Sequence, residues 1–116
     1  MKAYEMPFGK ITLNPAIDFA AKRYTFVTVN AAGNGIACPA AAKAVGVIQE
    51  PNNINEPAQV MVAGVSFIVL GGVVPTGSDV SVGEDGKAIV TVAPAAVVGK
   101  CLAGGILDDI GSILLI

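Results

Sequence analysis

Residues 24–29, Tyr24-Thr25-Phe26-Val27-Thr28-Val29, alternate in period two, which predicts a strand with Tyr24, Phe26 and Thr28 on one face and Thr25, Val27 and Val29 on the other. Residues 30–35 supply a turn. Further β-prone runs, divided by Gly, Pro, Asn and Asp, fall at 45–49, 59–63, 65–70, 80–82, 87–92, 98–102 and 112–116. That punctuation predicts an all-β fold: a small, compact β-barrel or sandwich of short strands. Asp85-Gly86 marks a tight hairpin turn, because glycine tolerates positive φ at no steric cost. Residues 39–44 are rich in alanine and could form at most one or two helical turns, which the β-branched Val45 and Val47 and the intervening Gly46 would stop.

The first 22 residues read differently. Pro7, Gly9 and Pro15 interrupt a line of spaced large residues, Tyr4, Met6, Phe8, Ile11, Leu13, Ile17 and Phe19. The prolines disfavour a continuous helix, although Asn14 before Pro15 could cap a single turn through Phe19. An extended arm over 1–22 with apolar anchors, followed by a single β domain over 23–116, is the expected organisation. The closing run Ile113, Leu114, Leu115 and Ile116 has to be docked, in the core or at a subunit interface, since four consecutive large aliphatics are costly to leave in water.

Composition narrows the chemistry. Of 116 residues 53% are hydrophobic and only 14% charged, and there is no histidine or tryptophan. One short domain covers roughly 65–70% of the surface its unfolded chain exposes, so burial against neighbouring subunits is the natural outlet for the excess apolar surface. Without histidine the commonest base for a serine or cysteine nucleophile is missing, and we expect no catalytic site and no enzyme activity. A formal charge of -2, with Lys22-Arg23 as the only adjacent basic pair, gives no reason to expect nucleic acid. That pair reads as a solvated or subunit-facing feature.

The remaining candidates have bland readings. Cys38 and Cys101 lie far apart without metal-ligand spacing and read as packed thiols; a disulfide between them would need an oxidising compartment. The acids are scattered, so no metal is expected, and Gly71-Gly72 and Gly104-Gly105 lack phosphate-loop spacing and read as bends, so no cofactor and no small-molecule substrate are expected. Asp108-Asp109 reads as a polar turn before the last strand. Residues 57–78 carry no charge and are long enough to span a bilayer, but glycines, Pro75 and β-branched valines break the run and no basic cluster flanks it, so no membrane segment is expected. Met1-Lys2-Ala3-Tyr4-Glu5 is not followed by the apolar core of a signal peptide, which points to synthesis in the cytoplasm.

Two resemblances follow from phrases of sequence. Asp85-Gly86-Lys87-Ala88-Ile89-Val90-Thr91-Val92 is similar to the lysine-bearing hairpin of lipoyl and biotinyl carrier domains, which would make Lys87 an acylation site, but Gly86 stands where those families place an acidic residue or methionine. The broader likeness is an ordered series. It runs through Ala21-Lys22-Arg23-Tyr24-Thr25-Phe26-Val27, Ala44-Val45-Gly46-Val47-Ile48-Gln49 and Glu56-Pro57-Ala58-Gln59-Val60-Met61-Val62-Ala63-Gly64-Val65-Ser66. Gly71-Gly72-Val73-Val74-Pro75-Thr76-Gly77, the Asp85 hairpin, Val98-Gly99-Lys100-Cys101-Leu102 and the apolar closing run complete it.

The series resembles the capsid cement, or head decoration, proteins of tailed bacteriophages. Members often have a shorter, more polar N-terminal lead, and loop 104–109 is more apolar here. The resemblance implies a structural virion protein, made in the host bacterial cytoplasm. Such a protein binds the major capsid protein on the capsid exterior, commonly as a homotrimer, and stabilises the head. Tyr4, Met6, Phe8, Ile11, Lys22 and Arg23 are then the candidate capsid or subunit contacts. A surface-display β module is the other reading of the same pattern, though no stalk or repeat is visible.

Overall fold

The computed structural model describes residues 3, 5–50 and 56–116. The fold is all-β, as the punctuation predicts. Its strands are β1 Met6–Leu13, β2 Phe26–Val29, β3 Gly35–Ala37, β4 Gly46–Glu50, β5 Ala58–Val69, β6 Asp79–Val82, β7 Ala88–Val90, β8 Gly99–Ala103 and β9 Ile110–Leu115. All pairings between these strands are antiparallel, in one sheet of order β3-β2-β4-β5-β9-β8-β6-β7, with β1 added to β5. The sheet curls into a half-barrel. Its far strand β7 returns to the end of β5, where the Gly71 N–H donates to the Ala88 carbonyl at 2.7 Å and Leu70 bridges Ala88.

The curled sheet encloses a main core of Phe26, Val47, Ile68, Leu70, Val80, Ile113 and their neighbours, each essentially out of water. Every fully buried large side chain there stabilises the fold by about 1.5–3 kcal/mol relative to exposure. A second, smaller core lies on the other face. Phe19, with Leu13 and Ile17 beside it, closes over Val27, Ile48, Ala58 and Val60. β2 and β4 are therefore covered on both sides, which is why Phe26 and Val27, or Val47 and Ile48, are buried although they are adjacent in sequence.

β5 serves both cores by changing phase. Val60 belongs to the second core, and regular alternation would keep Ile68 on the same side. Ile68 instead fills the main core. The change comes near Gly64, whose φ of +105° is a conformation only glycine adopts readily, and where a side chain would strike the Met6 carbonyl of β1. Sequence divided this stretch into runs at 59–63 and 65–70; it is one strand with a change of phase inside it.

Four other expectations give way to tertiary pairing. Residues 39–44 form no helix: the Ala41 N–H donates to the Val82 carbonyl at 2.9 Å with Ala41 at φ +66°, so the backbone group a helix would use is spent on β6. Asn14 and Pro15 start no turn of helix, because both the Asn14 carbonyl and the Ala16 N–H pair with Gly35. Gly35, taken as the end of a turn, instead opens β3. Tyr24 does not share a face with Phe26: at φ +61° it leaves the strand, and its ring packs edge-on against Phe67 on the outer face. The expected hairpin forms, with Asp85 at φ 58° and Gly86 at φ 73°, both central residues being left-handed as a type I′ turn requires.

Candidate docking surface

The face of the sheet opposite the main core is only partly covered. Phe19, Leu13 and Ile17 seal one end; beyond them the outer face of β5, β9 and the start of β1 stays open. Met6 and Leu114 both pair with Val65, which brings the ends of β1 and β9 together on this face. Met6 is 52% exposed and Leu114 41%, with Ile110 exposed further along β9 and Phe67 and Val69 half-buried between them. Val65 and Ser112, on the same face, are buried between these groups; several large apolar side chains left exposed on one face are a mark of an interaction site.

β1 is held in an unusual way. Its main chain pairs with β5 from Ala58 to Val65, yet among its eight residues none is fully buried. Phe8 occupies a bulge between Pro7 and Gly9, where the register with β5 slips, and the extra residue is thrown outward to 77% exposure. Ile11, opposite Val60, is also exposed. Among the described residues no strand pairs with the other edge of β1. An open edge beside exposed large side chains can accept a further strand, with main-chain bonds giving affinity and side chains giving specificity.

The other candidate residues fall in distinct places. Tyr4 lies outside the described residues. Lys22 sits in a turn, where its N–H donates to the Phe19 carbonyl and its own carbonyl accepts the Thr25 hydroxyl at 2.7 Å. Arg23 donates from Nε to the Gln49 carbonyl at 3.1 Å, and its guanidinium lies 4.7 Å from the Tyr24 ring centre. Arg23, Tyr24 and Phe67 thus form one row of contacts on the outer face, the cation beside the Tyr24 ring and that ring edge-on to Phe67. In the closing run Ile113 is wholly buried and Leu115 packs against the main core, whereas Leu114 and Ile116 point away and are exposed. Ile110 and Phe67 were missed by sequence reasoning; extending the period-two pattern of the last strand back from Leu114 through Ser112 would have found Ile110.

The chemistry-bearing groups are quiet. Lys87 donates to Asp108 at 2.8 Å, and that hydrogen bond, with the charges of Asp108 and Asp85, raises its pKa. An amine held protonated in an ion pair is a poor nucleophile, which does not suit an acylation site. Cys38 and Cys101 are free and buried in the main core, and burial raises both thiols above their ordinary value. Among the described residues no three Cys, Asp or Glu converge as metal ligands. No helix there is long and apolar enough to cross a membrane, and the uncharged run 57–78 holds β5 and the loop after it.

No protein-family model matches the chain, and no curated protein sequence matches it. The fold does have a solved counterpart, in a head-fibre base of a bacteriophage. The crystal structure of the N base of head fiber gp8.5 from phage phi29 is similar at a TM-score of 0.74, over 93% of this chain and 93% of that one, at 13% sequence identity. At that identity the likeness is one of fold.

Proposed function

We propose that this protein is a non-enzymatic structural component of a phage virion that binds the exterior of the head, as a trimer, and stabilises it. The carrying observation is the shared fold with a phage head-fibre base over nearly the whole of both chains. The sequence resemblance to cement proteins points the same way. The exposed apolar groups of the outer face, and Met6, Phe8 and Ile11 on β1, whose outer edge has no strand partner among the described residues, supply the apolar area and main-chain pairing that such a protein needs. Binding of this kind draws its free energy from buried surface and so requires no reactive group. Closed threefold symmetry would let neighbouring copies cover part of the outer face.

The test is co-sedimentation with purified heads that lack the protein, preceded by native mass spectrometry. A trimer that pellets with heads and raises their resistance to heat supports the reading. A monomer that stays in the supernatant at micromolar concentration overturns it. A second reading, the base of a surface fibre, is favoured by what the phi29 structure is. It predicts the same binding to heads with no gain in their heat resistance.

A further inference from the structure

A different end of the molecule carries a second apolar feature, built by two loops that are zipped together. The Val74 N–H donates to the Gly105 carbonyl at 3.0 Å and the Gly105 N–H to the Val74 carbonyl at 3.1 Å. Val73 and Ile106 flank this antiparallel bridge. Loop 104–109 is fixed further: the Ile106 N–H donates to the Asp109 carboxylate at 3.0 Å and the Asp108 N–H to the Leu70 carbonyl at 2.8 Å. On this rigid frame Val73 is 71% exposed, Ile106 61% and Leu107 58%.

Beside Leu107 lies an open pocket of about 260 Å³, walled by Gly71, Gly83, Ile89 and Leu107 and bordered by Glu84, Asp85 and Lys87. It is small for an organic ligand but of a size for one long side chain. Its charge is one-sided. Lys87 is taken up by Asp108, while among the described residues Glu84 and Asp85 make no side-chain hydrogen bond or ion pair. The surroundings therefore combine apolar walls with two carboxylates that make no hydrogen bond, Asp85 being only in the field of Lys87, the complement of a Lys or Arg with its aliphatic stem.

We propose that this end of the sheet is a separate protein-docking site, which takes a Lys or Arg flanked by aliphatic residues from a protein other than this chain. The basic head group reaches Glu84 and Asp85 through the pocket, and the flanking aliphatics cover Val73, Ile106 and Leu107. A second copy offers little that matches among the described residues, since Arg23, Lys43, Lys87 and Lys100 are each held by carbonyls or carboxylates, and Lys10 and Lys22, whose side chains are not so held, have Gly9 or Arg23 on one side in place of a large aliphatic residue. The site does not depend on how β1 or the outer face is used.

The test is NMR titration of the isotope-labelled full chain with acetyl-Gly-Leu-Arg-Leu-Gly-amide, against the same peptide with neutral citrulline in place of arginine. The arginine peptide is expected to move the amides of Gly71, Gly83, Asp85 and Leu107, and citrulline to weaken binding about 10-fold. The E84Q/D85N double variant should show the same loss, and Leu107→Ser a comparable one. Absence of shifts at those amides at millimolar peptide, or equal binding of the two peptides, overturns the proposal. So does conversion of an oligomer to monomers by I106D/L107D in sedimentation velocity, which would assign the surface to contacts between copies.

Discussion

The two halves of residues 6–19 are anchored differently. From Met6 to Leu13 the chain is fastened by its main chain to β5 and shows its side chains to solvent. From Leu13 to Phe19 it keeps a short main-chain hold, at Asn14 and Ala16 on Gly35, and adds its side chains, with Phe19 sunk in the second core. The difference teaches that a segment can be positioned without spending its side chains. The first half presents apolar groups in a fixed array because the second half and the β5 pairing hold it in place.

The sharpest way to break this comparison is Phe19→Ala, which should cost about 3–5 kcal/mol through lost burial and a cavity. Urea unfolding would measure it, and a loss below about 1 kcal/mol would mean that the second core contributes little. Next comes Gly64→Val. A side chain at φ +105° that strikes the Met6 carbonyl should cost on the order of 1–3 kcal/mol and release β1 selectively. Hydrogen exchange should then show lost protection in residues 6–12 while Val27 and Ile48 stay protected. Equal loss throughout would show that the two halves are not separable.

Smaller effects sharpen the same contrast. Phe8→Ser should change stability by no more than about 0.5 kcal/mol, because the ring already faces water, yet should weaken binding to heads. A large loss of thermal stability would show that Phe8 packs in its own fold. The thiols test the interior. Since burial raises Cys38 and Cys101, their contribution to stability is whole below the ordinary thiol value of 9.0 and is lost as pH rises beyond it, where the unfolded chain ionises first. Thiol titration with a disulfide reagent at pH 8 should be slow on the native protein and fast in denaturant. The smallest effect is expected for Lys87→Gln, whose ion pair with Asp108 is exposed and screened by water, so the midpoint of urea unfolding should hardly move.

The all-β class and the Asp85-Gly86 hairpin were legible because each depends on local chemistry: β-branched runs between breakers, and a dipeptide that accepts positive φ. What was not legible depended on partners distant in sequence. Nothing local announces that Ala41 will spend its N–H on Val82, or that Tyr24 will turn left-handed and set its ring on Phe67. The candidate surface divides in the same way. Met6, Phe8 and Ile11 stand out by spacing alone, whereas Ile113 to Ile116, read as one apolar block, separates by strand alternation into inward Ile113 and Leu115 and outward Leu114 and Ile116. The pairing of Lys87 with Asp108 joins two turns that sequence could only treat singly.

The central place of β5 governs the order in which the chain can fold. It pairs with β1 and β4, made before it, and with β9, made some forty residues later. A growing chain that has reached Leu70 can begin the second core, but Ile68 and Leu70 have no Ile113 to close over them. Folding is therefore dominated by pairings distant along the chain, the slow regime for small domains, and cannot finish until the last strand is synthesised. A ribosome-bound intermediate lacking β9 presents an unpaired apolar strand edge, which is the species in this pathway most exposed to aggregation.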